Sequence, residues 1–314
     1  MNMLQPLFSL FSPAGRHARL SVFIFHRVLL APDPIFPEEM HAQRFKEVCG
    51  WLRSWFNALP LDLAVSHLKA GTLPARSACI TFDDGYADNY DVALPILQQH
   101  GLPATFFIAT NFLDGGCMWN DKVIESIRLT KSRKLDLGHL GHFTIQTPAE
   151  KAAAIGAIIS KIKYLPVDQR VAVTQHAATA AQVDPPGDLM MTSTQVKAIR
   201  HMGMQIGAHT LSHPILARLT EVEARAEIKG SKDYLESLLG ERVGLFAYPN
   251  GKPGQDYTPT SVEVVRSLGF DAAVSTQGGA SRMGDDLFQI KRFTPWDRSR
   301  MKFGARLLAN LYSS

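Results

Sequence analysis

Short apolar runs alternate along the chain with longer segments in which apolar residues recur every three or four positions. This alternation predicts strands joined by helices, and therefore a largely parallel sheet. The predicted strands are residues 22–25, 78–82, 104–108, 205–208, 245–247, 272–274 and 288–290. The predicted helices are residues 37–55, 61–69, 90–99, 192–202, 220–239 and 258–268. At the fifth helix, Thr220 and Glu223 form a capping-box pattern and Gly240 marks the end.

Residues 115–187 depart from this alternation. They carry helical patterns at residues 122–130, 148–164 and 167–181, with no clear strand between them. We therefore predict a helical insertion between two strands of a barrel, lying over its mouth, with residues 1–314 forming a single domain. A barrel of about this chain length is commonly one domain.

Polar side chains follow several of the predicted strands. His26, the pair Asp83 and Asp84, His209, and the loop 248–251 each come directly after an apolar run. In an α/β barrel the carboxyl ends of the strands share one face, where active sites are built. We therefore expect these residues, far apart in sequence, to converge.

His209 and His213 are four residues apart. Pro214 disfavours a helical conformation at His213, so the pair is expected in a loop leading into a helix that begins at the proline. Two imidazoles and one carboxylate form a metal site that leaves positions open for water or substrate. The alternative is structural, with one histidine capping a helix and the other buried in the core.

Asp83 and Asp84 precede Gly85, whose turn would let both carboxylates face the mouth of the barrel. One carboxylate would bind a cation, and the other would serve as a base toward water. The alternative assigns them to the turn and to the N-cap of the helix at 90–99, where aspartate is favoured.

Composition limits the other function classes. The net charge of +4 is small and scattered, with no arginine-rich helix, so nucleic acid is not an expected partner. The three cysteines, Cys49, Cys79 and Cys117, lack metal-type spacing and favour a reducing compartment. Cys79, inside an apolar strand, is expected to be buried.

The N-terminal stretch 1–11 is apolar, but it lacks the charged start and the cleavage pattern of a signal peptide. It could pack on the barrel or rest on a membrane surface, and packing is the favoured interpretation. The expected location is therefore cytoplasmic or peripheral to the inner membrane.

Three segments resemble the motifs of a known family. They are TFDDG at residues 81–85, HTLSH at 209–213, and FAYPNG at 246–251. Together they resemble the polysaccharide deacetylase family, the NodB-homology domain of carbohydrate esterase family 4, and most closely its poly-N-acetylglucosamine deacetylase branch. The resemblance covers residues 21–293. It implies an α/β fold, a distorted (β/α)7 barrel. It also implies an enzyme that removes N-acetyl groups from an aminosugar polymer in exopolysaccharide biosynthesis or modification.

The resemblance also implies roles for individual residues. Asp83 would be the general base, and Asp84, His209 and His213 would bind a divalent metal ion. Tyr248 would supply a backbone N–H to the tetrahedral oxyanion. Zinc is the favoured ion, although cobalt, nickel or iron suits the same ligands. Preorganised donors to an oxyanion are often worth about 3 kcal/mol each.

Two features depart from the family pattern. The third motif usually contains an arginine that orients the base, whereas residues 246–251 contain none, and Arg292 is the candidate substitute. No histidine follows His213 to act as general acid, and His26 is the candidate. Its segment, VFIFHRV at 22–28, resembles a strand of the poly-N-acetylglucosamine branch, although a histidine bonded within the barrel wall is the alternative.

The expected partner is an N-acetylated glycan, and Asn250, Trp119 and Asp121 are candidate substrate contacts. Two alternative functions remain at this point. One is a glycan-binding or assembly protein that holds the metal but releases no acetate. The other is a hydrolase of a different non-peptide C–N bond. The sequence indicates neither the polymer and its linkage nor the oligomeric state.

Overall fold

The computed structural model describes residues 4–312. These residues form two compact units. The first unit comprises residues 4–31, 40–113 and 191–312, and it holds the main sheet. The second comprises residues 32–39 and 114–190. It includes the whole segment expected as an insertion, residues 115–187, together with residues 32–39 from much earlier in the chain.

The strands follow the apolar runs closely. In chain order they are β1 (Arg19–Phe25), β2 (Asn57–Ala58), β3 (Ser77–Phe82), β4 (Thr105–Ile108), β5 (Lys134–Asp136), β6 (His142–Thr144), β7 (Gln205–Ala208), β8 (Leu245–Ala247), β9 (Ala272–Val274) and β10 (Ser281–Arg282). Every residue of β3, β4, β8 and β9 is buried, as expected for parallel strands covered on both faces.

The helices are α1 (Leu4–Phe11), α2 (Ala42–Trp55), α3 (Leu61–Ala70), α4 (Leu94–His100), α5 (Trp119–Leu129), α6 (Pro148–Ile162), α7 (Val167–Ala181), α8 (Ser193–His201), α9 (Glu221–Leu239), α10 (Pro259–Ser267) and α11 (Arg300–Tyr312). The capping box of Thr220 and Glu223 is confirmed at the start of α9, and Gly240 ends that helix in the left-handed conformation.

The first unit is a distorted (β/α)7 barrel. Its parallel strands lie in the order β1, β3, β4, β7, β8, β9, and the segment 290–293 stands in the seventh position. Ile290 bridges to Val274 on β9, and Phe293 bridges to Phe23 on β1. The barrel therefore closes through isolated bridges rather than through a regular strand.

This closure corrects the strand predicted at 288–290. Phe288 and Gln289 lie outside any strand, because Asp286 accepts the Phe288 N–H at 3.0 Å and the Gln289 N–H bonds to the Asp286 carbonyl at 3.0 Å. These local bonds form a turn, and only Ile290 pairs with the sheet in this stretch.

A row of phenylalanines fixes the register of the strands that carry the site. Phe82 pairs with Phe25 of β1 and Phe106 of β4, and its ring stacks on theirs at centroid distances of 5.3 Å and 4.9 Å. Such aromatic pairs contribute about 0.5–1.5 kcal/mol each beyond their burial. Because side chains alternate along a strand, fixing Phe82 outside the barrel places Thr81 and Asp83 toward its interior.

The two ends of the described chain pack together. Phe8 of α1 is fully buried, with its ring 5.5 Å from that of Trp55 and 4.9 Å from that of Phe56. The packing interpretation of the N-terminal stretch is therefore confirmed for Phe8, while Leu10 is exposed. The sequence patterns did not predict α11, which packs beside α1.

Across residues 4–312, no helix has both the length and the apolar character that crossing a bilayer requires.

The second unit has its own apolar core, formed mainly by α5, α6 and α7. A two-stranded antiparallel sheet of β5 and β6 was not predicted, because its strands are three residues long and alternate polar with apolar positions. Residues 32–39 join this unit through Ile35, which is buried in its core, and through an ion pair of 2.6 Å between Asp33 and Arg128.

Candidate metal and catalytic site

The two aspartates leave β3 through a turn of unusual backbone conformation. Asp84 has φ 77° and Gly85 has φ 93°, both in the left-handed region that most L-residues avoid. The Gly85 N–H donates to the Asp83 carbonyl at 3.0 Å, and the Ala109 N–H donates to the Asp84 carbonyl at 3.1 Å. The turn directs the two carboxylates to different partners.

Asp84 lies between the two imidazoles. Its Oδ1 is 3.4 Å from His209 Nε2 and 3.3 Å from His213 Nε2, and the three ligand atoms all lie within 4.8 Å of one another. Atoms bound to one ion at about 2.0–2.2 Å in tetrahedral geometry are separated by roughly 3.4 Å. The spacing therefore fits a shared divalent cation.

The hydrogen bonding of the cluster gives the same result. Asp84 Oδ1 is buried and has no hydrogen-bond partner within the described part of the chain. A buried, unpartnered carboxylate oxygen is costly unless something binds it. The donor set of one carboxylate and two imidazoles suits zinc and its first-row neighbours. Asp84, His209 and His213 can therefore hold such an ion.

A backbone contact fixes the tautomer of His209. Its Nδ1 lies 2.7 Å from the Ala247 carbonyl, which can only accept, so Nδ1 carries the proton. Nε2 then presents its lone pair to the cluster. This arrangement is typical of metal-binding histidines, whose second ring nitrogen donates to a carbonyl or carboxylate.

Burial and charge shift the pKa values of the three groups. Burial opposes the charged form of Asp84, but the neighbouring imidazoles of His209, His213 and His26 outweigh burial and hold its pKa well below the ordinary value. Burial likewise opposes protonation of His209, yet Asp84 and Asp83 raise its pKa overall. For His213 burial prevails and lowers the pKa to about 4, which favours the neutral imidazole.

The segment 209–213 is a loop, as predicted. Thr210 and His213 have φ values of 65° and 52°, which exclude a helix through the pair. The chain beyond Pro214 differs from the prediction, since it forms one 3₁₀ turn at Leu216–Arg218 before α9 begins. That turn ends at Leu219, whose extended conformation leads into the N-cap of α9.

Asp83 is held by Arg292. The guanidinium nitrogens Nη1 and Nη2 donate to the two carboxylate oxygens at 2.7 Å each, and Nε donates to the Ser275 carbonyl at 2.7 Å. Thr81 is also within reach of Nη1, at 3.3 Å. Burial alone would raise the pKa of Asp83, but the charge of Arg292 outweighs it and lowers the pKa below the ordinary range. Asp83 is therefore ionised and fixed in orientation.

His26 lies directly after β1 and its side chain is exposed. When protonated, it contributes to lowering the pKa values of Asp83 and Asp84, so it lies within electrostatic reach of the cluster. Two residues that follow β3 hold the backbone around His26. Asn89 donates to the His26 carbonyl at 2.8 Å, and Asp88 accepts the Val28 N–H at 3.0 Å. The sequence motifs gave no indication of this supporting role.

The expected role of the Tyr248 amide needs correction. Its N–H donates to the Val274 carbonyl at 3.2 Å, because the pairing of β8 with β9 continues one residue past Ala247. The amide is therefore engaged in the sheet rather than free to meet an oxyanion. The Tyr248 ring is fully buried and stacks on Tyr257 with 3.9 Å between centroids.

The candidate substrate contacts are distributed over both units. Asn250 follows β8 with φ 58°, and its carbonyl accepts the Thr276 hydroxyl at 2.8 Å. Trp119 and Asp121 belong to the second unit, where the Trp119 ring lies under the Arg170 guanidinium at 4.9 Å and Asp121 is buried. Contact of these residues with a glycan stays a prediction.

Glu227 of α9 is a residue that the sequence analysis did not identify. Its carboxylate accepts the N–H groups of Leu211 and Ser212 at 3.0 Å and 2.9 Å, and the Ser212 hydroxyl at 2.6 Å. It lies outside the motifs, in the middle of an amphipathic helix, where a glutamate ordinarily indicates a solvated face.

The sequence matches the family model described as polysaccharide deacetylase. The match covers residues 70–132 and 166–273, together more than half of the chain. The YxkH protein of Bacillus subtilis is 22% identical over 277 residues, covering 88% of this chain and 71% of that protein. The poly-β-1,6-N-acetyl-D-glucosamine N-deacetylase of Staphylococcus epidermidis is 26% identical over 216 residues, covering 65% and 72%.

Solved structures extend the likeness to nearly the whole fold. The deacetylase PplD of Streptococcus pyogenes superposes with a TM-score of 0.62 at 18% identity, over 94% of this chain and 98% of that one. IcaB of Ammonifex degensii gives a TM-score of 0.62 at 19% identity, over 96% and 98%. At this identity the two structures support the barrel architecture and nothing finer.

Proposed function

The chain belongs to the polysaccharide deacetylase family, and on that premise we propose that it removes N-acetyl groups from an N-acetylated aminosugar polysaccharide in a metal-dependent reaction. One observation carries the metal dependence: Asp84 Oδ1 is buried without a hydrogen-bond partner in the described chain, 3.4 Å and 3.3 Å from the two imidazole nitrogens. The ion would be zinc, or cobalt, nickel or iron.

Asp84, His209 and His213 would hold the ion. When bound, it supplies a Lewis acid that polarises the amide carbonyl and lowers the pKa of water toward neutrality. His209 is held ready for this by its bond to the Ala247 carbonyl, and His213 is neutral because burial lowers its pKa to about 4.

Asp83 would act as the general base. It takes a proton from the attacking water while a C–O bond forms at the acetyl carbon. A carboxylate whose pKa is lowered is a weak base, so it works only on water that is itself acidified. Arg292 has two functions here, since it keeps Asp83 ionised and fixes the direction of its lone pairs.

His26 would act as the general acid. An amide nitrogen leaves readily only when it is protonated, so breakage of the C–N bond needs a donor on the side of the leaving amine. His26 is exposed at the carboxyl end of β1 and lies within electrostatic reach of both aspartates. Proton transfer from the imidazolium yields the free amine, and acetate is the second product.

The substrate class is proposed from the relatives. A curated relative from Staphylococcus epidermidis is a poly-β-1,6-N-acetyl-D-glucosamine N-deacetylase, and it aligns with 65% of this chain. We assign the same class of substrate, a polymer of β-1,6-linked N-acetylglucosamine, to this protein.

The test is acetate release from oligomers of β-1,6-linked N-acetylglucosamine, with β-1,4-linked oligomers in parallel. We expect acetate to be released, a chelator to stop the reaction, and added zinc to restore it. Asp84→Asn should release none at any zinc concentration. A protein that binds zinc through Asp84 yet releases no acetate from either oligomer would refute deacetylation and favour a glycan-binding role.

A further inference from the structure

We infer that Glu227, on α9, is a positioning residue for the metal site, and that it acts by fixing the loop that carries His213. The inference builds on the metal ligation proposed above. Glu227 is not one of the three ligand residues, Asp84, His209 and His213. Its three hydrogen bonds all end on Leu211 and Ser212, the two residues that immediately precede His213.

The loop needs such support because its backbone is strained. Thr210 has φ 65°, a conformation that is rare for a β-branched residue, and His213 has φ 52°. A residue persists in this region only when its surroundings determine it. Without external bonds the chain between these two positions would relax, and His213 would move with it.

The two sides of the loop are held by different elements. The carbonyls of Thr210 and Leu211 accept the N–H groups of Thr110 and Asn111 at 3.2 Å and 2.9 Å. The segment that follows β4 therefore holds two carbonyls of the metal loop, while Glu227 holds the N–H groups of Leu211 and Ser212. Only a carboxylate can accept from two N–H groups and a hydroxyl on one side without placing a donor there.

The remaining contacts show that the fit is close. A Cβ added at Gly230, one turn along α9, would lie 2.6 Å from a methyl carbon of Leu211. The His213 N–H donates to the Thr210 hydroxyl at 3.1 Å, so its place depends on the same strained residue. Displacing Leu211 or Ser212 would therefore be transmitted directly to His213, whereas His209 is fixed independently through the Ala247 carbonyl.

The test measures zinc affinity by competition with a chromophoric chelator on the full-length chain, together with the melting temperature of the metal-free protein. Glu227→Gln keeps the side-chain length but has one acceptor oxygen in place of two, so its NH₂ group must face either the two N–H groups or the Ser212 hydroxyl. We expect it to weaken zinc binding about 10- to 100-fold, the range for outer residues that orient metal ligands. Ser212→Ala removes one of the three bonds and should have a smaller effect in the same direction.

Glu236→Gln is the matched control. Glu236 lies on the same helix and also accepts a backbone N–H, from Val243 at 3.0 Å, but at the opposite end from the metal loop. We expect its zinc affinity to equal that of the wild type. A Glu227→Gln variant that melts at a lower temperature yet binds zinc as tightly as Glu236→Gln would overturn the inference and leave Glu227 a purely structural residue.

The same titration separates this inference from the function on which it rests. If wild type and Asp84→Asn bind zinc equally, the proposed metal site fails, whatever Glu227 does. If Asp84→Asn loses zinc and Glu227→Gln keeps it, the metal site stands and the positioning role alone fails.

Discussion

Arg292 donates to both carboxylate oxygens of Asp83 at 2.7 Å, although the two residues are 209 positions apart in the sequence. Both are almost fully buried, with side chains 0% and 3% exposed. A two-point ion pair in such surroundings fixes orientation as well as charge, which a single contact does not do. Arg292 therefore sets the direction in which Asp83 can accept a proton.

Replacing Arg292 by lysine should reduce the turnover number by roughly 10- to 100-fold, because one ammonium cannot reproduce a planar two-point contact. Zinc content and KM should change little. Steady-state acetate assays with metal analysis of the same preparation test this, and Arg282→Lys, in an exposed 3.7 Å contact with Asp285, is the control. Unchanged turnover in Arg292→Lys would show that the base needs no orientation.

Replacing Arg292 by alanine should act mainly on stability. It leaves the Asp83 carboxylate buried without its partner, which typically costs about 3–5 kcal/mol. Urea denaturation of the metal-free protein measures this loss, and Arg292→Lys should fall between the alanine variant and wild type. Equal unfolding free energies for wild type and the alanine variant would argue that water already solvates Asp83.

Replacing His26 by alanine should lower turnover by about 100-fold or more while zinc content stays at the wild-type level, because the residue is proposed to donate a proton and not to bind the ion. His176→Ala changes an exposed histidine on α7 in the second unit and serves as the control. Near-normal turnover in His26→Ala would assign the general acid elsewhere.

Replacing Tyr248 by phenylalanine should leave the free energy of unfolding unchanged or raise it by up to about 1 kcal/mol, since its buried hydroxyl has no hydrogen-bond partner in the described chain. Tyr257→Phe is the contrasting variant, because the Tyr257 hydroxyl donates to Gln289 at 3.1 Å. That variant should lose about 1 kcal/mol. Urea titration of both variants measures their free energies of unfolding. A marked decrease in Tyr248→Phe would show that the Tyr248 hydroxyl has a hydrogen-bond partner.

The cysteines should be unreactive in the native protein. Burial raises the pKa of the Cys49 and Cys79 thiols far above the ordinary value, and it raises the pKa of Cys117 to about 12. A raised thiol pKa keeps the reactive thiolate scarce until the pH approaches that value, so alkylation at pH 8 should be slow for all three. Mass spectrometry after iodoacetamide treatment, with guanidinium-unfolded protein as control, measures this. Rapid native labelling of Cys79 would contradict its burial.

Much of the barrel was predictable because its strands are short apolar runs bounded by turn signals. The strands 205–208, 245–247 and 272–274 have the predicted limits. The prediction failed where local bonds compete with the sheet, as at Phe288 and Gln289, and where strands are short and exposed, as in β5 and β6. The helix expected at 90–99 is divided, because Asn89–Ala93 is a π-helical turn ahead of α4.

The site residues were also predictable only where the residue type itself indicates the chemistry. Asp84, His209 and His213 could be selected from sequence because each residue type has a distinct chemistry and follows an apolar strand, and the structure brings them together. The Tyr248 amide could not be judged in this way, since its availability depends on how far β8 pairs with β9. Glu227 could not be selected in this way, because two of its three partners are backbone N–H groups, which the residue pattern does not distinguish.

The segment 290–293 has a consequence for how this barrel can open. The same four residues complete the ring of strands and carry the guanidinium that restrains the base, yet only isolated bridges attach them to β9 and β1. Local opening in proteins begins where backbone pairing is sparse. Hydrogen exchange should therefore reach the amides of Ile290 and Phe293 before those of β3 and β4, and each such opening would release Asp83 while the three metal ligands stay in place.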